Sequence, residues 1–377
     1  MASITIKFNL MEETDKHALY RLLSSNPDKK IWKKGIYRID DDEIHLPAWL
    51  IKRQSRKHHD QCYEVMDTFH FAKGGFSTLH DSFFNMRLKN TEIEINPKSY
   101  QKQRALKSIK ITEDLPLTMI EAEAKIMQGI SYLHAKELVS EGEQCFIIMK
   151  KLPVLTLGQI IKRRKTLSFQ QRNNLSIALT RALKDFHDKG LMHLDVKPDN
   201  FLIQQVGDEF IVFLIDFTFS AEKTEVVTSN IGTPPYAAYE CYTSEPKTYK
   251  TDIRALGRVL MLVWGEEFST ENPGFTSYDF LGYSLKPNYN YLFKWLPMLP
   301  TFHENLTVLF KKMCATDQPD RPELTMVLDE LDRFNERCDH PGIPHIQINK
   351  PRQEKKITMP QLIVDSVEEF TTNGNTI

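Results

Sequence analysis

Apolar positions change their spacing partway along this chain. Ile4, Ile6 and Phe8 alternate with polar neighbours as a short strand would. They lie in a first stretch, residues 1–60, that otherwise reads as a polar extension. Strand-like alternation runs from Tyr63 to Leu79 and resumes toward Phe84, with Gly74-Gly75 between, which predicts a hairpin. The polar stretch 87–103 is expected to bulge out as an insertion. Residues 105–109 alternate again, a helix is expected to begin near Leu117, and 145–149 (CFIIM) is a continuous apolar run typical of a buried strand.

Beyond Pro153 the period becomes helical. Leu175, Ala178, Leu179, Ala182, Leu183 and Phe186 advance by steps of three and one, and Gly190 ends the run. Further helices are predicted over 252–264 and from Glu323 to about Arg337. The tail from Asp339 carries Pro341, Pro344, Pro351 and Pro360 and reads as irregular. A strand-rich front before a helical back predicts two packed lobes of different class.

Composition narrows the class. With 41% apolar and 26% charged residues, and only 15 Gly and 19 Pro in 377, the chain is neither collagen-like nor a low-complexity linker. A net charge of −1 gives no general attraction to nucleic acid. Cys62, Cys145, Cys241, Cys314 and Cys338 form no CxxC pair, which fits a reducing compartment. His59 and Cys62 have ligand-like spacing, but no second pair follows them to complete a zinc site. The N-terminus lacks a basic segment followed by a long apolar run, and the longest apolar stretches, such as 259–264, are too short for a bilayer. The expectation is a cytosolic protein without a transmembrane segment.

The chemistry concentrates in His193-Leu194-Asp195-Val196-Lys197-Pro198-Asp199-Asn200, directly after the Gly190-terminated helix. Phosphoryl transfer needs a carboxylate to orient the attacking hydroxyl and oxygens to hold the metal on the phosphates. Asp195 can be that carboxylate. Asn200 is spaced to turn back as a metal ligand, and Lys197 would place a positive charge near the transferred group. Asp216 ends the apolar strand Phe213-Leu214-Ile215, where a phosphate-chelated Mg²⁺ would be met. In isolation, Asp195 and Asn200 also read as ordinary turn residues.

Together these segments resemble the catalytic and metal-binding loops of the eukaryotic-type protein kinase superfamily. Lys197, two residues after the aspartate, resembles the serine/threonine branch. The resemblance spans roughly residues 63–335. Gly232-Thr233-Pro234-Pro235-Tyr236 through Glu240 is similar to the end of an activation segment, the stretch around Asp252 to the start of the central helix, and Asp320-Arg321-Pro322 to the late arginine that pairs with the glutamate, here Glu240. Ala72-Lys73-Gly74-Gly75-Phe76-Ser77 stands where a phosphate-covering Gly-rich loop belongs. Ala72 and Ser77 replace two of its glycines, so the pair reads about equally as a plain hairpin turn. Ala105 and Lys107 resemble the AxK of the third strand.

Helix geometry picks the lysine's partner. Glu123 has Met119, Ile120, Ile126 and Met127 three and four positions away, an inward face, whereas Glu121 lies on a mostly solvated one. Met149 would back the adenine pocket, with Lys150, Lys151 and Leu152 as the hinge.

The resemblance implies an α+β, two-lobed kinase-like fold: a small antiparallel sheet lobe with one long helix, and a larger, mainly helical lobe. It divides the chain into an extension (1–60), a first lobe (61–151), a second lobe (152–337) and a tail (338–377). The activity implied is ATP-dependent serine/threonine protein phosphorylation with Mg²⁺ or Mn²⁺. A pseudokinase that only binds partners, and a kinase-fold enzyme acting on a small molecule or transferring AMP, are the alternatives.

Three positions depart from the family pattern, the last of them expected to matter little. Leu194 replaces the arginine that in the family pairs with an activation-loop phosphate, making Thr224, Thr228 and Ser229 poor switch candidates. Thr218 replaces the glycine of the metal-binding loop, and Tyr239 the proline before Glu240. The combination resembles secreted effector kinases of intracellular bacteria, which would place the site of action in a host cytosol. The basic runs Lys52, Arg53, Arg56, Lys57 with His58 and His59, Lys162 to Lys165, and Lys29, Lys30, Lys33, Lys34 are solvated faces or sites for a phosphoinositide or inositol phosphate. The acidic stretch 365–369 reads as a solvated tail or part of a secretion signal.

Overall fold

The computed structural model describes residues 3–8, 10–54, 61–82, 84–89, 92–97, 103–135, 137–152, 154–162, 167–264 and 300–337. The chain divides into two compact units, Met1–Leu152 and Pro153–Ile377.

The first unit contains β1 (Ser3–Thr5), α1 (Glu13–Ser25), β2 (Ile31–Trp32), β3 (Gly35–Ile39), β4 (Asp42–Leu46), β5 (Trp49–Arg53), β6 (Gln61–Met66), β7 (His70–Lys73), β8 (Ser77–Ser82), β9 (Phe84–Lys89), β10 (Glu92–Pro97), β11 (Arg104–Lys110), α2 (Leu117–Gly129), β12 (Glu137–Glu141) and β13 (Gln144–Lys150). The strands form sheets ordered β1-β4-β3, β10-β9-β6-β5-β2 and β12-β13-β11-β8-β7.

Three expectations change. Residues 3–54 are not a loose polar extension. Ala18, Leu19, Leu22 and Leu23 line one face of α1 and share a buried core with Ile6, Trp32, Ile44, Leu50, Tyr63, Met86 and Ile93. The apolar stripe is narrow and its neighbours are charged, so bulk polarity hides it. Most of the stretch expected to bulge out from residue 87 is β9 and β10, antiparallel partners in register from Phe84–Pro97 to Lys89–Glu92. Met86, Leu88 and Ile93 are buried, while Lys89, Glu92 and Glu94 are exposed, an alternation obscured by its charged outer face. The hairpin expected over 63–84 is likewise divided: β6 pairs with β5 and β9, while β7 and β8 pair around Gly74-Gly75.

Sheet register sets the face on which chemistry can occur. Leu106, Phe146, Ile148 and Val139 pack with Ile31, Ile51 and Met66, joining the two five-stranded sheets back to back. Because side chains alternate, Ala105, Lys107, Ile147 and Met149 occupy the opposite face of β11 and β13. Glu64 is fully buried where the sheets meet. It accepts from the Ser82 hydroxyl at 2.8 Å and lies 3.1 Å from Arg53 Nε and 3.3 Å from Arg104 Nη1. A carboxylate there is tolerable only with those cations in place.

The second unit contains β14 (Leu155–Thr156), α3 (Leu157–Lys162), α4 (Phe169–Asp188), β15 (Leu191–Met192), β16 (Phe201–Val206), β17 (Glu209–Leu214), β18 (Ala221–Glu222), α5 (Tyr249–Val263), α6 (Pro300–Met313) and α7 (Leu324–Arg337). Helix α4 begins with a capping box between Ser168 and Gln171 and stops before Gly190, whose φ of 79° suits a residue without Cβ. It packs on α5, α7 and β17. Helix α5 is buried on nearly every side, so its polar Asp252, Arg254 and Arg258 are interior groups.

Glu64→Ala should take the shared carboxylate from two half-buried arginines and cost about 3 kcal/mol. Urea unfolding would measure this, and an unchanged midpoint would remove Glu64 from its joining role.

Candidate active site

In the first unit, β11 places Lys107 and α2 places Glu123, and their side chains meet at 2.5 Å. Both are buried, at 6% and 2% exposure; Glu123 lies on the α2 stripe with Ile120, Ala124 and Met127, while Glu121 is exposed. A buried ammonium and carboxylate fix one another's position, leaving the lysine's remaining N–H groups directed by the pair. Ala105 and Met149 are cross-strand partners on the face that carries Lys107. The β7–β8 turn is closed by the Gly74 amide donating to the Ser77 carbonyl at 2.8 Å, and Phe76 is half-exposed. A Cβ added at Gly75 would meet nothing within 4 Å, so the fold itself does not demand glycine there.

Lys151 is tied down in three ways. Its ammonium reaches Asp81 at 2.6 Å and lies 4.7 Å from the Phe71 ring centre, and its amide donates to the Gln103 carbonyl at 3.2 Å. The Lys150 amide donates to Leu133.

In the second unit, β15 ends at Met192 and the chain turns sharply. Leu194 has a φ of 63° and Asp216 one of 64°, both in the left-handed region that non-glycine residues avoid. The Asp252 carboxylate secures the first of these turns. It accepts from the His193 and Leu194 amides at 2.7 Å each, and its Oδ2 lies 2.9 Å from His187 Nε2. His193 accepts the Asp195 amide on Nδ1 at 3.3 Å, so its Nε2 carries the proton donated to the Ile215 carbonyl at 3.0 Å. Phe217 stacks on Phe186 with ring centres 5.1 Å apart and meets His193 edge-on.

These supports converge on Asp195. Its Oδ2 receives Lys197 Nζ at 2.5 Å, its Oδ1 receives the Thr233 hydroxyl at 2.5 Å, and Lys197 also donates to Thr233 Oγ1 at 3.0 Å. Asn200 Nδ2 donates to the Asp195 carbonyl at 2.8 Å and to Oδ2 at 3.3 Å. With its nitrogen so engaged, Asn200 has Oδ1 to offer a cation. Asp216 Oδ1 accepts from the Thr218 hydroxyl at 2.9 Å. Oxygens of Asp216 and Asn200 are the donor type that Mg²⁺ takes. Gly232, at φ 97°, lets the later segment approach: a Cβ there would stand 3.0 Å from that of Ala237.

Glu240 and Arg321 form a buried bidentate pair at 2.5 and 3.0 Å, with Thr251 donating at 2.8 Å. Burial pushes the Glu240 carboxyl up, but Arg321 and Thr251 outweigh it and hold the carboxyl below its ordinary value of 4.5.

Among the residues that sequence reasoning missed around Asp195 and Asp216 are His187, Phe186 and the hydroxyl of Thr218. A histidine on the buried stripe of α4 was the only available signal for the first. Leu194 turns into an apolar cluster with Met192 and Ala221, packed on by Val227 and Ile231. Tyr239 is partly exposed at 38%. Of the basic runs, Lys29 lies over Trp32 and Tyr37, Lys33 over Trp49, and Arg53 on Glu64. Arg56, Lys57, His58 and His59, residues 163–165, Cys338, the tail from Asp339 and the stretch 365–369 lie outside the described residues.

The sequence model of the protein kinase domain matches residues 93–331, well over half of the chain, and the chain belongs to that family. Its fold is the α+β kinase fold, with a strand-rich first unit and a helix-rich second. The match begins after Gly74-Gly75, the segment with the largest departures. The chain is similar to the ovarian-specific serine/threonine-protein kinase Lok of Drosophila melanogaster, at 30% identity over 162 residues, 39% of this chain and 34% of that protein. It is similar to the serine/threonine-protein kinase PknH of Mycobacterium tuberculosis (strain H37Rv), at 31% over 148 residues, 37% of this chain and 23% of that one. Against the serine/threonine-protein kinase Nek5 of Mus musculus it is 28% identical over 193 residues, 50% of this chain and 29% of that protein. The chain thus spans about a third or less of these relatives.

The stability contributed by the Glu240–Arg321 pair is complete above pH 4.5 and is lost as pH falls through the depressed folded value. Glu240→Gln should lower stability at neutral pH by about 3 kcal/mol and flatten the acid limb of a stability–pH curve. An acid limb identical to wild type would contradict this.

Proposed function

We propose that this chain is an ATP-dependent protein serine/threonine kinase. The observation that supports this most is the Asp195 carboxylate held by Lys197, Thr233 and Asn200 together. Phosphoryl transfer asks the protein for positioning and charge rather than covalent help. Asp195 would orient the substrate hydroxyl and accept its proton. Lys197 would offset the negative charge spread over the transferred group, and Thr233 would hold both in register. The serine/threonine assignment rests on Lys197 and on the similarity to serine/threonine-protein kinases.

Asp216 and Asn200 would hold Mg²⁺, or Mn²⁺, which neutralises the nucleotide phosphates when bound. Lys107, aligned by Glu123, would hold the α- and β-phosphates. Ala105 and Met149 would line the adenine site. Lys151 and Leu152 would contact adenine as the hinge; the Lys150 and Lys151 amides are engaged, so Leu152 would supply any hinge N–H. Gly74, Gly75 and Phe76 would cover the phosphates. Thr218 gives its hydroxyl to the Asp216 carboxylate and so holds it in place, a role glycine could not fill.

The scattered cysteines, without a CxxC pair, are the basis for proposing a reducing compartment such as the cytosol. Among the described residues no helix is long and apolar enough to cross a membrane.

Wild type incubated with γ-labelled ATP, Mg²⁺ and a generic protein substrate should label serine and threonine. Asp195→Asn should reduce the rate by at least about a hundredfold while retaining nucleotide binding. Equal label from both would sink the assignment. Gly75→Ala offers a narrower check. It should leave the unfolding midpoint unchanged, since the added methyl meets open space, and weaken ATP affinity several-fold if the turn approaches phosphate. Unaltered affinity would return Gly74-Gly75 to the status of a plain hairpin.

A further inference from the structure

Leu194 removes the phosphate-binding arginine, yet Thr233 still reaches Asp195, so something else must order the segment between them. Lys247 stands out there. It is only 2% exposed, and its ammonium donates to three backbone carbonyls: Thr228 at 3.0 Å, Thr243 at 2.8 Å and Glu245 at 3.1 Å. Three N–H donors meet three acceptors. Its own amide donates to the Val227 carbonyl at 2.9 Å, an isolated antiparallel bridge. Lys247 therefore closes the neck of a loop whose interior carries Thr233 and Glu240.

Burying an ammonium carries a desolvation cost, and here burial does push the Lys247 pKa down, with Cys241, Glu240 and Glu245 opposing that shift. No surface lysine needs such a cage. A cation placed here ties 227–228 to 243–247 and reduces the freedom of the fifteen or so residues between, as a crosslink at a loop's base does. The apolar side of the same neck is sealed by Leu194, Val227 and Ile231.

We propose that Lys247 is a positioning residue that holds the activation segment in the arrangement seen here, so that Thr233 is presented to Asp195 without a phosphate on the segment. This deepens the kinase reading and rests on it for its functional consequence. The internal cation replaces an arginine–phosphate pair: the charge comes from the segment's own end, and its partners are backbone carbonyls that no phosphatase can remove.

The test uses the full chain as wild type, Lys247→Met and Lys247→Arg, each before and after phosphatase treatment. Hydrogen exchange is followed on peptides covering 223–248. In wild type, amides flanking the neck should be protected, and phosphatase should change neither this protection nor the rate of protein phosphorylation. Lys247→Met should speed exchange about tenfold or more in this segment alone, with α4 and β11–β13 unaffected. It should lower kcat/KM for protein substrate at least about tenfold with ATP affinity unchanged, and Lys247→Arg should recover part of the loss. Wild-type exchange in Lys247→Met, or loss of neck protection when wild type is dephosphorylated, overturns the proposal. Should Lys247→Met fail to fold, the wild-type phosphatase comparison decides alone. If wild type transfers no phosphate, the kinase reading fails, while the exchange comparison still tests the role of Lys247.

Discussion

The loop from His193 to Asn200 depends on one buried carboxylate. Asp252 sits in the first turn of α5 and takes hydrogen bonds from two successive amides, His193 and Leu194, and from the His187 ring. Hydrogen bonds to a buried charge are among the stronger ones a protein makes. Here they are spent on a backbone turn at Leu194 that the residue would not adopt alone. Release that turn and Asp195 loses the direction from which Lys197, Thr233 and Asn200 meet it.

From that anchor the other constraints follow outward. His193 couples the loop to the strand end at Ile215, and Phe217 packs under it on Phe186. The segment after Asp216 is then returned by the Glu240–Arg321 pair and by Lys247. Each of these is a charged group removed from water and satisfied by several partners. Such groups are costly when half-satisfied, so the loop has one good arrangement and few near alternatives. In the first unit the same logic applies to Lys107 with Glu123 and to Glu64 with Arg53 and Arg104.

Much of this was legible in the sequence where a residue's neighbours in the chain define its surroundings. Helical spacing separated Glu123 from Glu121 because the apolar positions three and four away mark the inward face. Strand alternation put Ala105 and Lys107 on one side. The fold class and the order of the loops came from motif order. What stayed hidden depends on partners far along the chain. Lys247 reads as one more polar residue in a charged stretch until Thr228 and Thr243 are brought to it. Residues 3–54 read as polar because the stripe Ala18, Leu19, Leu22 and Leu23 is outnumbered by charges that face water. The β9–β10 hairpin was missed for a similar reason, since its outward positions are all charged or polar. Asp252 was recognisable by position, but its hold on the loop from His193 to Asn200 appears only when α5 packs beside β15.

The most direct measurement of the central claim is a proteome-scale phosphorylation screen with purified wild type and Asp216→Ala, read by mass spectrometry. The account predicts new phosphate on serine and threonine hydroxyls with wild type and none above background with Asp216→Ala. Identical phosphorylation from the two proteins, or adenylyl groups in place of phosphoryl groups, would contradict it.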